Sequence, residues 1–199
     1  MIQTELNNYI HHGWYVVPIH GVMVGRDGEL KCTCGKADCS SPGKHPTTPQ
    51  GLKNATVKKD WIDAWWKKWP WANVGIVTGQ LSGIVVIDID PRHGGNDALD
   101  DLFVKHGAFP ETVEVMTGGG GRHFYFKAPS HQVKNSAGLI GSGIDVRGEN
   151  GYVLAPPSEH ISGNKYEWEA SSEPSMVGLA EMPAWLFDYL NKPAPSKDV

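Results

Sequence analysis

The segment GIVVIDIDPRHGG, residues 83–95, combines a β-branched apolar run with two acidic residues. The run that begins at Ile84 predicts a β-strand. Because successive side chains on a strand point to opposite faces, Asp88 and Asp90 project to one side, and Ile87 and Ile89 project to the other. The segment therefore predicts a strand on which two carboxylates share one small patch.

The neighbouring segments indicate the fold class. NVGIVTG (73–79) precedes this strand, and the intervening turn GQLSG has glycine at both ends, which is typical of an antiparallel hairpin. TVEVMTGGGGRHFYFKAP (112–129) predicts a second hairpin, and GIDVRGENGYVLAPPSEH (143–160) predicts two more short strands. Hairpins with a few helices predict an α+β domain, not a parallel doubly wound sheet.

Helices are predicted near both ends of the chain and between the strands. Their expected positions are residues 4–12, capped by Thr4, and residues 56–70, 96–107 and 181–190. In the second helix, Trp61, Trp65 and Trp69 recur at four-residue spacing, which fits packing against a sheet. A base-stacking platform beside lysines is the alternative. GWYVVPIHG (13–21) predicts a first strand, and residues 25–55 predict a long loop or a small irregular lobe.

Composition and charge narrow the class of protein. The 199-residue chain has 40% hydrophobic and 20% charged residues, as an ordinary globular domain does. Because the sequence has no long apolar run and no secretion signal, we expect a cytoplasmic protein without a membrane partner. The formal net charge of -4 argues against tight, non-specific binding to nucleic acid. Divalent cations in a site would add positive charge that this count omits.

A third acidic residue repeats the pattern of the first two. Asp145, in GIDVRG, also follows a small and an aliphatic residue on a later predicted strand. Carboxylates this close raise each other's pKa unless a cation is present, and Mg²⁺ and Mn²⁺ prefer such ligands together with substrate phosphates. Three carboxylates from two strands suffice for a two-metal phosphoryl-transfer centre. The alternative is that Asp90 begins the turn DPRHGG and that Asp88 faces solvent.

The glycine-rich segment TGGGGRHFYF (117–126) predicts a phosphate contact. Its glycines let the backbone approach a ligand closely, and His123, near the start of a strand, can bind or protonate a phosphate. Arg122 beside it favours this interpretation, and an ordinary surface or core histidine is the alternative. Because no helix follows the glycines, the segment is a poor match for a dinucleotide-binding or P-loop motif.

A second cluster of candidate ligands lies in CTCGKADCSSPGKHP (32–46). Cys32, Cys34, Cys39 and His45 are donors that suit a closed, tetrahedral Zn²⁺ site. Three cysteines cannot form a complete disulfide framework, and a cytoplasmic compartment would reduce one. Because Cys-x-Cys is tighter than the usual Cys-x₂-Cys spacing, free thiols in a flexible loop are the alternative.

Three of these segments together resemble a known family. VGIVTGQLSGIVVIDIDPRHGG, TGGGGRHFYF and GIDVRGENGYVLAPPSEH, in this order and at these separations, resemble the bifunctional primase-polymerase (prim-pol) domain of the archaeo-eukaryotic primase superfamily. That family is found in replication proteins of plasmids, phages and other mobile elements. The resemblance covers nearly all of residues 8–190, and the motifs are specific in combination although each alone is not.

The resemblance implies how the chain is organised. We expect one prim-pol catalytic domain, in which a core like an RNA-recognition motif (RRM) packs beside a small N-terminal α/β lobe. A polar, proline-rich linker or tail would follow. The expected bounds are 1–190 for the domain, 1–75 for the lobe with a candidate zinc-binding loop at 32–45, 76–190 for the core, and 191–199 for the tail.

The resemblance also implies roles for individual residues. Asp88, Asp90 and Asp145 fall on the family's metal-ligand positions, and His123 falls on the position that contacts the phosphates of an incoming nucleotide. The family often carries a small residue two places before this histidine. Gly121 fits that position loosely, since a serine there would add a hydroxyl group that this chain lacks.

Three basic residues are further candidates for nucleotide binding by the same resemblance. Arg122 and Arg147 lie within the second and third motifs. Lys44, in GKHP beside the cysteines, matches a basic position of the family's N-terminal lobe that touches triphosphate or template. We therefore expect these three side chains to join His123 around the nucleotide.

The leading hypothesis is a nucleotidyltransferase, a DNA primase or DNA polymerase that makes primers, extends them, or does both. It would use Mg²⁺ or Mn²⁺, a single-stranded DNA template, a primer and nucleoside triphosphates, with Zn²⁺ as a candidate structural ion. Because the sequence has no helicase-like P-loop, we expect a helicase domain or protein as partner. The alternatives are a non-catalytic module that binds single-stranded nucleic acid or nucleotide, and metal-dependent phosphodiester hydrolysis.

Overall fold

Antiparallel sheets and α-helices build the molecule, which a computed structural model describes over residues 2–191. The strands are β1 (Val16–Ile19), β2 (Val22–Val24), β3 (Leu30–Cys32), β4 (Asn73–Val77), β5 (Ile84–Ile89), β6 (Glu114–Met116), β7 (Arg122–Lys127), β8 (Ser136–Gly141), β9 (Ile144–Arg147), β10 (Tyr152–Ala155) and β11 (Glu167–Trp168). The α-helices are α1 (Ile2–His11), α2 (Lys59–Lys68), α3 (Gly95–His106) and α4 (Ala184–Asn191). The expected tail, 191–199, lies outside the described residues apart from the last residue of α4.

The strands form two sheets and a separate hairpin. A three-stranded sheet has the order β1-β4-β10, and a six-stranded sheet has the order β11-β6-β7-β5-β9-β8. The hairpin pairs β2 with β3. All pairs between these strands are antiparallel, which agrees with the predicted α+β class. The predicted irregular segment, 25–55, contains β3, a 3-10 turn at Gly51–Asn54 and otherwise turns and loops.

β5 lies inside the six-stranded sheet, and its two faces have different neighbours. Ile87 and Ile89 pack with residues of α3 and α4 in one hydrophobic cluster. Ile84 and Val86 pack in a second cluster that includes the three-stranded sheet. Burial of each such side chain contributes roughly 1.5–3 kcal/mol. Asp88 follows Val86 on this second face, so its carboxylate lies where the packing between the two sheets ends.

The predicted hairpin between residues 73–79 and the strand at Ile84 is wrong, although both strands exist. β4 pairs with β1 and β10, whereas β5 pairs with β7 and β9, so they belong to different sheets. An isolated bridge joins Gly79, two residues after the end of β4, to Ile84, the first residue of β5. Both strands are buried along nearly their whole length, and each therefore needs hydrogen-bonding partners on both sides. The glycine-bounded turn crosses between the sheets.

The other predicted strands are present. β6 and β7 form the second hairpin, with Val115 opposite His123. Residues 143–160 contain β9 and β10, and these again belong to different sheets. The chain thus crosses between the sheets three times, at 78–83, at 148–151 and at 156–166. These crossings place β10 of the three-stranded sheet near the acidic end of β5.

The predicted helices are also present, with shifted ends. α1 begins at Ile2, before the expected cap Thr4. Ile62 and Trp66 are the residues of α2 that are buried, which confirms packing, while Trp61 is 58% exposed. Among residues 2–191, no helix has the length and apolar character needed to cross a membrane.

Candidate active site

Three predicted site residues form one row across the six-stranded sheet. Asp88 on β5 lies opposite Asp145 on β9 and opposite His123 on β7. Directly opposed residues of an antiparallel pair point to the same face, so all three side chains share one surface. His123 is buried, and its Nε2 lies 3.4 Å from Asp88 Oδ1. The strand register thus brings together residues that are far apart in sequence.

Arg147 joins this row from the same strand and face as Asp145. Its Nη2 lies 3.1 Å from Asp88 Oδ2 and 2.9 Å from Asp145 Oδ2, so one guanidinium bridges two carboxylates. Burial alone would raise the pKa of Asp88, but the charges and hydrogen bonds of His123 and Arg147 outweigh it and lower that pKa to about 2. Asp88 is therefore an ionised carboxylate at neutral pH.

Asp90 lies just past the end of β5 and caps the 3-10 turn Pro91–His93. Its Oδ1 accepts hydrogen bonds from the backbone nitrogen and Nε of Arg92, both at 3.0 Å. Its Oδ2 lies 2.8 Å from Arg92 Nη2 and 3.0 Å from His93 Nδ1. The Arg92 guanidinium holds the pKa of Asp90 well below its usual range. Asp90 is thus both a turn acceptor, as the alternative interpretation had it, and a lining residue of the site.

A cleft between the two sheets contains these residues. One cavity of about 240 Å³ is lined by the acids together with basic groups, namely Lys44, Asp88, Asp90, Arg92, His123, Asp145 and Arg147. A second cavity of about 170 Å³ shares Lys44, Asp88, His123, Arg147 and Tyr166 with the first and adds Tyr152, Val153 and Leu154 of β10. The two cavities form one cleft, with the six-stranded sheet on one side and β10 on the other.

Lys44 reaches this cleft from the N-terminal part of the chain, as the resemblance implies. It lines both cavities and is half-buried. Burial and the positive charges of Arg92 and Arg147 lower the pKa of the Lys44 ammonium, while Asp88 and Asp90 raise it. Lys44 therefore stands among two acids and two arginines.

Arg122 does not line the cleft. Strand alternation turns His123 toward the cleft and Arg122 toward the opposite face. There, Arg122 pairs with the buried Glu114 at 2.5 Å and lies over the Phe124 ring at 4.6 Å. The structure therefore does not bring Arg122 together with the other predicted site residues, because its guanidinium is held by an acid on the other side of β7.

The cleft also contains residues that the sequence analysis did not identify. Arg92 lies in the first motif and pairs with Asp90. Its position two residues after a predicted metal ligand could have identified it from the sequence. Tyr166 is 4% exposed, lines both cavities and lies 6.0 Å from His123 between ring centroids. Tyr166 lies outside the motif segments, and Tyr152 lies in the third of them without an expected role, so only the fold places these two side chains at the cleft.

Gly121 makes a close approach that accounts for its departure from the family pattern. A Cβ built on Gly121 would lie 2.1 Å from the backbone oxygen of Ile89. Any larger residue, serine included, would have to push the end of β5 away. The glycine therefore lets the loop before His123 pack directly on the strand that carries the acids.

The four predicted zinc ligands converge. Cys32, Cys34, Cys39 and His45 each offer one ligand atom, and these atoms all lie within 4.8 Å of one another. His45 Nε2 is 3.4 Å from Cys32 Sγ and 3.5 Å from Cys39 Sγ. We refer to these four residues as the Cys/His cluster. Its donor set is one that can hold a tetrahedral metal ion.

The three acids of the cleft are less tightly gathered than this cluster. Within residues 2–191, the Cys/His cluster is the one group of three or more ligand residues whose atoms lie within 4.8 Å of one another. In the cleft, Arg147 stands between two of the carboxylates and Arg92 takes both oxygens of the third. The acids line one cavity but face arginines rather than one another.

Comparison with known proteins gives one family. No curated protein matches the chain. A family model, Prim-Pol, described as bifunctional DNA primase/polymerase, N-terminal, matches residues 6–185. The match includes both the cleft and the Cys/His cluster, and it confirms the resemblance found in the three motifs. The chain therefore belongs to the Prim-Pol family of bifunctional DNA primase/polymerase N-terminal domains.

Proposed function

We propose that this chain is a DNA-directed primase-polymerase that makes or extends primers from nucleoside triphosphates. The observation that carries this proposal is the row of Asp145, Asp88 and His123, in register on three adjacent strands beside Lys44 and Arg147. In the reaction, a 3'-hydroxyl attacks the α-phosphate of a nucleoside triphosphate. A new phosphate ester bond forms, and pyrophosphate leaves.

Asp88, Asp90 and Asp145 are the residues that would hold Mg²⁺ or Mn²⁺. They fit these ions because all three line one cavity, and because ionised carboxylates such as Asp88 are the ligands that hard cations prefer. When bound, a pair of such ions activates the attacking oxygen and stabilises the leaving one. Arg92 and Arg147 share the same carboxylate oxygens in this structure.

The basic residues of the cleft would bind the triphosphate. Lys44, His123 and Arg147 line both cavities, and guanidinium and ammonium groups form strong charge-assisted hydrogen bonds with phosphate oxygens. Arg92 stands at the Asp90 end of the same cleft. These residues would orient the α-phosphate toward the attacking oxygen, and such positioning and electrostatic stabilisation supply most of the rate in phosphoryl transfer.

The domain organisation is proposed as it was expected, with an RRM-like core beside an N-terminal lobe. The proposal is supported by the chain order β5-α3-β6-β7-β9 and the spatial order β6-β7-β5-β9, which correspond to the strand pattern of a split βαβ fold. Between β7 and β9, β8 and loops stand where that fold has its second helix. α3 and α4 pack on the face of the sheet away from the cleft.

We also propose that the Cys/His cluster binds Zn²⁺ as a structural ion. Thiolate and imidazole ligands in a set of four are the usual ligands of structural zinc, whereas Mg²⁺ and Mn²⁺ prefer oxygen. Gly43 N donates to Cys32 Sγ at 3.4 Å, and the His20 ring lies 4.5 Å from the His45 ring, so two ligands are oriented by neighbours.

The biological setting rests on the family alone. We place the activity in the replication of a phage, plasmid or other mobile element, on a single-stranded DNA template. A helicase domain or protein would supply the unwinding. The experiment below tests the chemistry independently of that setting.

The test is incubation of the chain with single-stranded DNA, labelled nucleoside triphosphates and Mg²⁺ or Mn²⁺, with and without a primer. The variant is the double substitution Asp88→Asn, Asp90→Asn. The matched control is Asp100→Asn, Asp101→Asn, which makes the same change on two exposed residues of α3. We expect labelled products from the wild type and the control and at least roughly a 10³-fold loss in the cleft variant, as for removal of catalytic groups.

Each other outcome has a defined meaning. Products that require a primer would restrict the function to polymerisation. Full activity of the cleft variant would exclude Asp88 and Asp90 as ligands. No product under any condition would favour the non-catalytic binding module, and shortening of the DNA without triphosphates would favour phosphodiester hydrolysis.

A further inference from the structure

Lys44 reaches the cleft from a loop whose backbone is unusually well held. The loop residues Gly43, Lys44 and His45 have no regular secondary structure of their own. A lysine on such a loop normally loses roughly 2 kcal/mol of side-chain entropy when it is fixed in one position. Hydrogen bonds that hold the loop backbone fix the starting point of the Lys44 side chain, and they thereby limit the positions that its ammonium group can reach.

Tyr152, the first residue of β10, holds the middle of this loop. Its hydroxyl donates a hydrogen bond to the backbone oxygen of Lys44. Tyr152 lines the second cavity of the cleft. Its hydroxyl is protonated at neutral pH as in an ordinary tyrosine, and burial raises its pKa further. The partners are 108 residues apart in sequence, so the contact joins the loop to the strand that forms one wall of the cleft.

The two neighbouring carbonyls of the loop are held as well. Asn73 Nδ2 donates to the backbone oxygen of Gly43 at 3.0 Å, and the Asn73 side chain is itself fixed by hydrogen bonds to Glu159. The backbone nitrogen of His20 donates to the backbone oxygen of His45 at 2.8 Å. Three consecutive carbonyls thus accept hydrogen bonds from three different parts of the three-stranded sheet and its loops.

We propose that Tyr152 is a positioning residue for Lys44, and that its hydrogen bond to the Lys44 carbonyl sets the affinity of the cleft for the triphosphate of a nucleoside triphosphate. The inference rests on the proposed function, in which Lys44 binds that triphosphate. Tyr152 acts through the backbone of Lys44 and does not itself contact the phosphates. Asn73 supports the same loop from the preceding residue.

The test is a double-mutant cycle on nucleotide binding, measured on the full chain with Mg²⁺ and without DNA, so that no turnover occurs. The variants are Tyr152→Phe, Lys44→Met and their combination. The ligands are one nucleoside triphosphate and the matching monophosphate. Tyr15→Phe is the matched control, because Tyr15 is a half-buried tyrosine outside both cavities of the cleft.

We expect Lys44→Met to weaken triphosphate binding roughly 10- to 100-fold, as for loss of a charged hydrogen bond. Tyr152→Phe should weaken it about 3- to 10-fold, as for a neutral hydrogen bond, with the monophosphate affinity unchanged. Because Tyr152 acts through Lys44, the double variant should bind as weakly as Lys44→Met and no more weakly. The control should bind as the wild type does, and all variants should keep the wild-type melting temperature within a few degrees.

Three results would overturn the inference. Wild-type affinity of Tyr152→Phe would remove the positioning role alone. A further loss in the double variant would mean that Tyr152 contacts the nucleotide directly. Wild-type affinity of Lys44→Met would remove the role of Lys44 in the proposed function as well. Failure of the positioning role and failure of the proposed role of Lys44 are distinguished by which single variant, Tyr152→Phe or Lys44→Met, binds as the wild type does.

Discussion

The Cys/His cluster and the acidic cleft both gather side chains that bind metals, but they are assembled differently. The cluster takes four ligands from one segment, 32–45, and its ligand atoms lie within 4.8 Å of one another. The cleft takes its acids from the region of β5 and from β9, and its basic residues come from β7, β9, the turn after β5 and the loop that contains Lys44. The cluster is local in sequence, whereas the cleft depends on the register of strands.

The charges of the two sites differ in the same way. In the cleft, each carboxylate already has a cationic partner, since Arg147 bridges Asp88 and Asp145 and Arg92 holds Asp90. Under the proposed function, cations and phosphates would replace these partners, which suits turnover. The cluster has four converging donors and no such partner exchange, which suits a permanent structural ion.

Among the substitutions that test this comparison, the one with the largest expected effect removes a ligand of the Cys/His cluster. Cys39→Ser should abolish the binding of about one zinc ion per chain, because a tetrahedral site loses a thiolate. We expect the melting temperature to fall by roughly 5–10 °C, since each kcal/mol is worth about 2–4 °C in a chain of this size. Elemental analysis and calorimetry measure the two effects.

The matched control for Cys39→Ser is Ser40→Ala, an exposed neighbour in the same loop. It should retain the ion and the melting temperature. If Cys39→Ser keeps both as well, the cluster is a set of free thiols, and the contrast between a permanent and an exchanging site fails.

An intermediate effect is expected at the loop that packs on β5. Gly121→Ala places a Cβ 2.1 Å from the Ile89 backbone oxygen. Overpacking of this kind typically lowers the free energy of unfolding by about 1–3 kcal/mol. Gly119→Ala is the matched control in the same loop, because its Cβ would meet its nearest neighbour, His160 Nε2, at an ordinary 3.7 Å. Chemical denaturation should show the loss for the first variant and little change for the second.

The same pair of variants tests how finely the cleft is built. Because the shift at Gly121 displaces the end of β5, which carries the acids, primer extension should fall more in Gly121→Ala than the loss of stability explains. Equal stability of the two variants would contradict the close packing of this loop.

The smallest effect tests the boundary of the cleft. Arg122→Gln should lower the free energy of unfolding by about 1 kcal/mol, because it leaves the buried Glu114 carboxylate without its cationic partner. The effect is small because solvent reaches the Arg122 side chain and screens its charge. Its Michaelis constant for nucleoside triphosphate should stay within about twofold of the wild type, since the side chain lies on the opposite face of β7. Arg147→Gln is the comparison, with an expected increase of about tenfold or more, as for loss of a charged hydrogen bond.

Much of the site could be predicted because strand geometry is periodic. The alternation of residues 83–95 placed Asp88 and Asp90 on one side, the repeated pattern in GIDVRG added Asp145, and the glycine-rich segment added His123. The resemblance added Lys44, and all five residues line the cleft. The same alternation, applied to RHFYFK, already separates Arg122 from His123. The expectation that Arg122 joins His123 weighed residue type above residue position, whereas the structure pairs Arg122 with Glu114.

Other features could not be predicted from local patterns. A turn with glycine at both ends fits a hairpin and a crossing between sheets equally well, so the pairing of β4 and β5 was wrong. Tyr166 lies in a segment without a motif, and Tyr152 lies in the third motif segment at a position to which no role was assigned. Both line the cleft only because β10 and the loop before β11 close over the acids.

The sequence by itself determined the family, the α+β class, the acidic patch on β5 and the ligand set of the Cys/His cluster, because these depend on residue type, order and short spacing. Only the tertiary structure decided which strands are neighbours and how Lys44 meets the acids. The physical reason is the distance along the sequence over which each interaction acts. Side-chain periodicity acts over a few residues, whereas strand register and the docking of two sheets are set by hydrogen bonds and burial between distant segments.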